Sequence, residues 1–65
     1  MASDLDIRAD AEAIERQLAV LHEQVREARF SAPTAWAAGS YAYVDEALAR
    51  QLLEWRDIRA RLAKI

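Results

Sequence analysis

The sequence predicts a mainly α protein, an antiparallel two-helix hairpin in a single small domain spanning 1–65. Three observations lead there. Apolar residues recur at alternating spacings of three and four in two long runs, the signature of a stripe along an α-helix. The chain's only Gly and only Pro fall between those runs. No Cys is present, so disulfides and thiolate metal sites cannot reinforce a domain that buries only about 60% of its unfolded surface. Regular helix packing or association with other chains has to supply the stability.

The first helix is expected over about residues 4–30. Ser3 is placed to cap it, Asp6 follows three residues later as in a capping box, and Asp4 and Asp6 suit the positive end of the helix dipole. Ile7, Ala11, Ile14, Leu18, Leu21, Val25 and Ala28 then draw one apolar seam. Asp4 with Arg8, and Glu12 with Arg16, have the i,i+4 spacing of helix-stabilising pairs. Pro33 cannot continue the helix and disfavours helical geometry at Ala32, so the helix should stop near Phe30. About 26 residues at 1.5 Å each give a rod about 40 Å long.

The segment 31–40 admits two readings. In one, Gly39-Ser40 forms a type II′ turn and Ala35–Ala38 pairs with Tyr41–Val44 as a short β-hairpin, its aromatics on one side and its small residues on the other. In the other, Thr34 begins a short turn, Gly39 ends it, and Ser40 caps a helix that starts at Tyr41. The four Ala of the would-be strands favour the helical reading.

The second helix is expected over about residues 41–64. Tyr41, Val44, Leu48, Gln51, Trp55, Ile58, Leu62 and Ile65 hold the same register, with Leu52 widening the stripe and Gln51 as its one polar interruption. Glu46 with Arg50 and Asp57 with Arg61 are i,i+4 pairs, and Arg59, Arg61 and Lys64 crowd the end where the dipole favours cations.

Charge excludes several roles. The formal net charge is −2, with seven acids against four bases in 1–33 and four against five in 34–65, too little of either sign to make nucleic acid or a membrane surface an expected partner. Arg50, Arg56, Arg59, Arg61 and Lys64 could meet phosphates, but Glu46, Glu54 and Asp57 interrupt them, and a DNA-binding module ranks last among the readings. No apolar run reaches the roughly 18 residues of a membrane span, and "MASDLDIRAD" carries acids where a signal peptide would carry bases. A cytoplasmic protein is expected.

Chemistry is equally constrained. His22 is the only histidine and lies beside the first seam, so it is expected to be a half-exposed packing residue. The acids are expected to be solvated on the polar faces, with none isolated where its pKa would suit catalysis. Ser31, Thr34 and Ser40 are cap or turn residues, and a single Gly cannot build a phosphate loop. No catalytic, metal or cofactor site is expected.

Binding remains. Ile14, Leu18, Leu21, Val25, Leu48, Leu52, Trp55, Ile58 and Leu62 form the seam through which two hairpin helices would bury each other or self-associate. Leu5, Val20, Phe30, Leu52 and Leu53 lie off the strict three-four line, an apolar surplus that points to a homo-oligomer or to docking in a larger assembly. Trp36 is expected to cap the end of the core. The sharper alternative makes Trp36, Tyr41 and Tyr43, with Phe30, Val20 and Leu53, the anchors for a protein partner.

The order of a long helix, "AAGSYAYV" around Gly39, and "DEALARQLLEWRDIRARL" resembles the small head-to-tail joining proteins of tailed phages, the gpW-like group. The features that fit are Gly39 at a hairpin tip, the run "YAYV", and the stripe Leu48, Leu52, Trp55 and Ile58. The resemblance implies two antiparallel helices flanking a β-hairpin, many copies in a ring beneath the portal, and a location in the virion. "WAAG" (Trp36–Gly39) is one residue wider than the Trp-x-Gly turn of secreted helical hairpins, a class with longer helices, and that likeness is set aside. The expected function is therefore a non-enzymatic assembly protein, with a regulatory or inhibitory binder of one partner protein as the alternative.

Overall fold

The computed structural model describes residues 3–65, and they form two helices, α1 (Asp4–Ser31) and α2 (Ala35–Ala63). They run antiparallel and pack along their full length into a rod of 47 × 16 × 16 Å. Nine-tenths of the described residues are helical.

Local signals explain where each helix begins and ends. Ser3 is extended and its Oγ accepts from the Asp6 amide at 3.2 Å, while the Ser3 amide donates to Asp6 Oδ2 at 3.3 Å. This reciprocal box satisfies two amides that helix geometry leaves without partners. At the other end Ala32 turns to ψ 134° ahead of Pro33, as expected, and Ser31 Oγ donates back to the Glu27 carbonyl at 3.0 Å. Thr34 then caps α2, its hydroxyl accepting from the Ala37 amide at 3.1 Å.

That cap corrects both sequence readings of 31–40. The connector is only Ala32, Pro33 and Thr34, α2 starts at Ala35 rather than Tyr41, and no β-hairpin forms around Gly39-Ser40. Gly39 has no positive φ and lies inside the helix. The reason is local: a Thr cap and four Ala among residues 35–42 outweigh one Gly, whose cost in a helix is about 1 kcal/mol.

The core is thin. Among the described residues, Ala11, Val25 and Leu48 are the buried apolar ones, and no large side chain is fully enclosed. Trp55 crosses the seam and its indole N–H donates to the Ala11 carbonyl at 2.9 Å, which anchors the broadest side chain of the interface to the facing backbone. Small residues, Ala28, Ala32 and Ala38, occupy the closed end and are half-buried.

The line of contact is rotated from the apolar stripe. In α1 the residues turned toward α2 are Arg8, Ala11, Glu15, Leu18, His22, Val25 and Arg29, all partly or fully buried. Their counterparts in α2 are Asp45, Leu48, Leu52, Trp55, Arg59 and Leu62. Ala11, Leu18 and Val25 belong to both lines, whereas Ile7, Ile14 and Leu21 fall to one side, where they remain exposed. Expecting the whole seam to be buried between two helices is thus corrected: one hairpin partner covers only part of a stripe about 100° wide.

A candidate protein-interaction surface

Every seventh residue of the α1 contact line is polar, and each finds a partner on α2. At the open end, Arg8 Nε donates to the Leu62 carbonyl at 3.1 Å and its Nη2 to the Ala63 carbonyl at 3.3 Å. Those carbonyls belong to the last turn of α2, where the dipole favours a cation; the Leu62 carbonyl also accepts from the Ile65 amide at 3.3 Å. One heptad on, Arg59 donates to Glu15 at 2.5 Å and to Glu12 at 3.1 Å, and the paired carboxylates hold its guanidinium above its ordinary pKa.

The third polar layer is the most enclosed. Asp45 is buried; His22 Nε2 lies 2.5 Å from its Oδ1 and Arg29 Nη1 donates to its Oδ2 at 3.0 Å. A carboxylate only accepts, so His22 must carry the proton on Nε2. Burial raises the Asp45 pKa, but the hydrogen bonds and positive charge of His22 and Arg29 outweigh it and hold the carboxyl below its ordinary value.

Two expectations are corrected here. Asp45 is not on a solvated face, and His22 is a part-buried hydrogen-bonding residue rather than a mere packing group. The i,i+4 pairs also give way, because Arg8 and Glu12 reach across the hairpin instead of along α1. The overlooked signal was a second heptad register, Arg8, Glu15, His22 and Arg29 on α1 with Asp45 and Arg59 fourteen apart on α2. Beside a strong apolar stripe it passes for a solvated face.

The two sides of the hairpin differ sharply. On one, Glu12, Glu15, Arg16 and Arg59 line a charged groove with Ala19. On the other, Ile14, Leu18, Trp55 and Ile58 line an apolar groove in which Gln51 and Glu54 are the polar members. Ile14 and Ile58 are each 42% exposed, and Ile7, Leu21 and Val44 are open to a similar degree. Helical spacing sets Ile7, Ile14 and Leu21 on the α1 edge of this face, and Val44, Gln51 and Ile58 on the α2 edge.

The aromatic candidates occupy the closed end. Trp36 and Phe30 are each 81% exposed and Tyr43 is 70% exposed. Expecting Trp36 to cap the core is corrected: extending α2 to Ala35 turns the indole outward, while Ala28, Ala32 and Ala38 fill the seam beside it. Trp36 and Tyr43, two turns apart, flank Gly39 and Ser40 in a shallow depression, and the Arg29 guanidinium lies 5.9 Å from the Phe30 ring centre. Tyr41 is less exposed and borders the seam. Val20 and Leu53 are exposed but stand ten residues, about 15 Å along a helix, from Phe30 and Tyr43 respectively, so the six candidates do not form one patch.

No described helix is long and apolar enough to cross a membrane. Among the described residues no group of three or more His, Cys, Asp or Glu is placed to hold a metal ion. Comparison with known proteins finds no matching family model, no matching curated protein and no matching solved structure.

Proposed function

We propose that this chain is a non-enzymatic assembly protein, a helical hairpin that works by presenting one apolar face to other protein. The observation that carries this reading is the open groove between Ile14 and Ile58, the unburied half of a stripe that runs the length of both helices. Aliphatic side chains left half in water along one side, where Glu54 is the one charged lining residue, and a charged groove along the other give association a hydrophobic driving force and a defined direction. The closest cluster of ionisable groups is committed to structure, since both Asp45 oxygens are occupied by His22 and Arg29. The more specific form of this role, phage head-to-tail joining, loses the β-hairpin it implied, because 35–44 is helical.

The test is sedimentation of the native protein in extracts of the cells that make it. The chain should run well above its own 7.4 kDa, and Ile14→Glu combined with Ile58→Glu should return it to the free mass while preserving helical circular dichroism. A wild-type chain that sediments free in the extract would overturn the reading.

The aromatic end favours a second reading. Trp36, Tyr43 and Phe30 fit the chemistry of interface anchors, as expected of a binder that occupies a site on one partner. Loss of the extract complex on Trp36→Ala, with the Ile14 and Ile58 variant unaffected, would select it.

A further inference from the structure

The occupant of the apolar face can be specified, resting on the assembly reading above. We infer that it is a second copy of this chain, packed face to face with its connector at the opposite end, so that two hairpins complete an antiparallel four-helix bundle.

Area is the first argument. The chain exposes 5185 Å², about 1,000 Å² more than the roughly 4,200 Å² of a compact monomer of this mass. Two copies covering that excess would bury about 2,000 Å² in total, the area of a specific, stable protein interface.

Self-complementarity is the second. In a two-fold interface, residue i meets j and j meets i. The groove places Gln51 beside Leu18, which fixes a common level near the middle of both helices. Ile14 and Leu21 lie almost equally to either side of that level on α1, and Val44 and Ile58 lie seven residues to either side of Gln51 on α2. A two-fold axis crossing the rod there brings Ile14 of each copy onto Leu21 of the other and Val44 onto Ile58.

Gln51 decides between occupants. It is the one polar residue of the α2 stripe, and an apolar partner surface would strand its amide, at a cost that buried polar groups rarely bear. On the axis it meets its own copy, and a carboxamide both donates and accepts, so two of them satisfy each other. Placing both connectors at the same end would set Gln51 between Ile14 and Leu21 of the other copy and lose that pairing. Glu54, the groove's charged member, stands about 4.5 Å along the helix from Gln51, so the axis sets the two copies' carboxylates about 9 Å apart along the rod. The net charge of −2 per chain is small, and the charged groove stays outside.

The chain has no Cys of its own, which makes the arrangement directly readable. Purified wild-type protein should sediment at twice 7.4 kDa. Gln51→Cys should form a disulfide-linked dimer under mild oxidation, while Glu46→Cys, exposed and turned away from the groove, should remain unlinked. Ile14→Glu should halve the sedimenting mass, and Ile14→Leu should not. A wild-type dimer whose Gln51→Cys variant does not cross-link overturns the arrangement but leaves the assembly reading standing. A purified chain that is monomeric at high concentration overturns the second-copy inference, and if it also sediments free in cell extract the assembly reading falls with it.

Discussion

Gly39→Ala should stabilise the protein, although it removes the only glycine of the sequence. Gly39 lies in the second turn of α2 without a positive φ, and a Cβ built there meets nothing within 4 Å. The new methyl group therefore brings no clash, and what changes is the backbone entropy lost on folding, which favours Ala over Gly by about 0.8–1 kcal/mol inside a helix. For a chain of this length that is a sizeable share of a total stability of roughly 3–10 kcal/mol. It should raise the thermal midpoint by about 4–8 °C. The assay is thermal and urea unfolding followed by far-ultraviolet circular dichroism at one fixed chain concentration. The alternative makes the opposite prediction: in a type II′ turn Gly39 would need positive φ, where Ala is strained. A lowered midpoint would refute a continuous α2.

Leu48→Ala and Leu53→Ala compare the two faces of α2 with helix propensity cancelled. Removing three carbons worth about 0.8 kcal/mol each should cost roughly 2 kcal/mol at Leu48 and under about 1 kcal/mol at Leu53, since these residues are 8% and 62% exposed; equal losses of urea midpoint would contradict the placement of the seam. Trp36→Ala should change the unfolding free energy by less than about 0.5 kcal/mol, as an exposed surface change does, and a loss several times larger would restore the indole to the core. For Asp45, the folded carboxyl titrates below its ordinary 3.8, so the unfolded chain binds the more protons in that window and the stability it contributes is present above the ordinary value and lost as pH falls through the folded one. Asp45→Asn should therefore flatten the decline of the urea midpoint below about pH 4, and an undiminished acid slope in the variant would show that Asp45 is not the group responsible.

Much of this architecture can be read from residue order. Ser3 with Asp6, and Pro33 after Ala32, act through contacts within one turn, so α1 follows from its own sequence. Thr34 is equally local, yet the single Gly39 marks a break in the pattern, so even the favoured helical reading starts α2 only at Tyr41, with a β-hairpin as the alternative; the summed propensity of Ala35, Ala37, Ala38 and Ala42 carries the helix back to Ala35. Rotation of the helices was harder. Spacing shows that Ile7, Ile14 and Leu21 share a stripe with Ala11, Leu18 and Val25, but not which half of it faces α2. That depends on where Arg8, Glu15, His22 and Arg29 find partners, and those partners lie between 16 and 55 residues away along the chain. Asp45 was illegible for the same reason, its burial being a property of the pair of helices rather than of α2.

The polar layers carry information that the aliphatic ones lack. Leu and Val at heptad intervals would tolerate a slide of seven residues, about 10 Å, with nearly the same surface buried. The charges would not. A slide of α2 toward the open end would bring Asp45 beside Glu15 and Arg59 beside Arg8, and a slide the other way would take Asp45 from His22 and set Arg59 against it. Within one chain the three-residue connector already forbids such slips, but between chains, where α1 of one copy could pair with α2 of another, only Asp45 and Arg59 distinguish the true alignment from its neighbours. Replacing both clusters whole with apolar residues, His22 and Arg29 along with Asp45, and Glu15 along with Arg59, should leave the hairpin about as stable as before, as happens when buried ion pairs give way to apolar groups. The loss would be in proofreading: crowded copies would have several equivalent ways to pair.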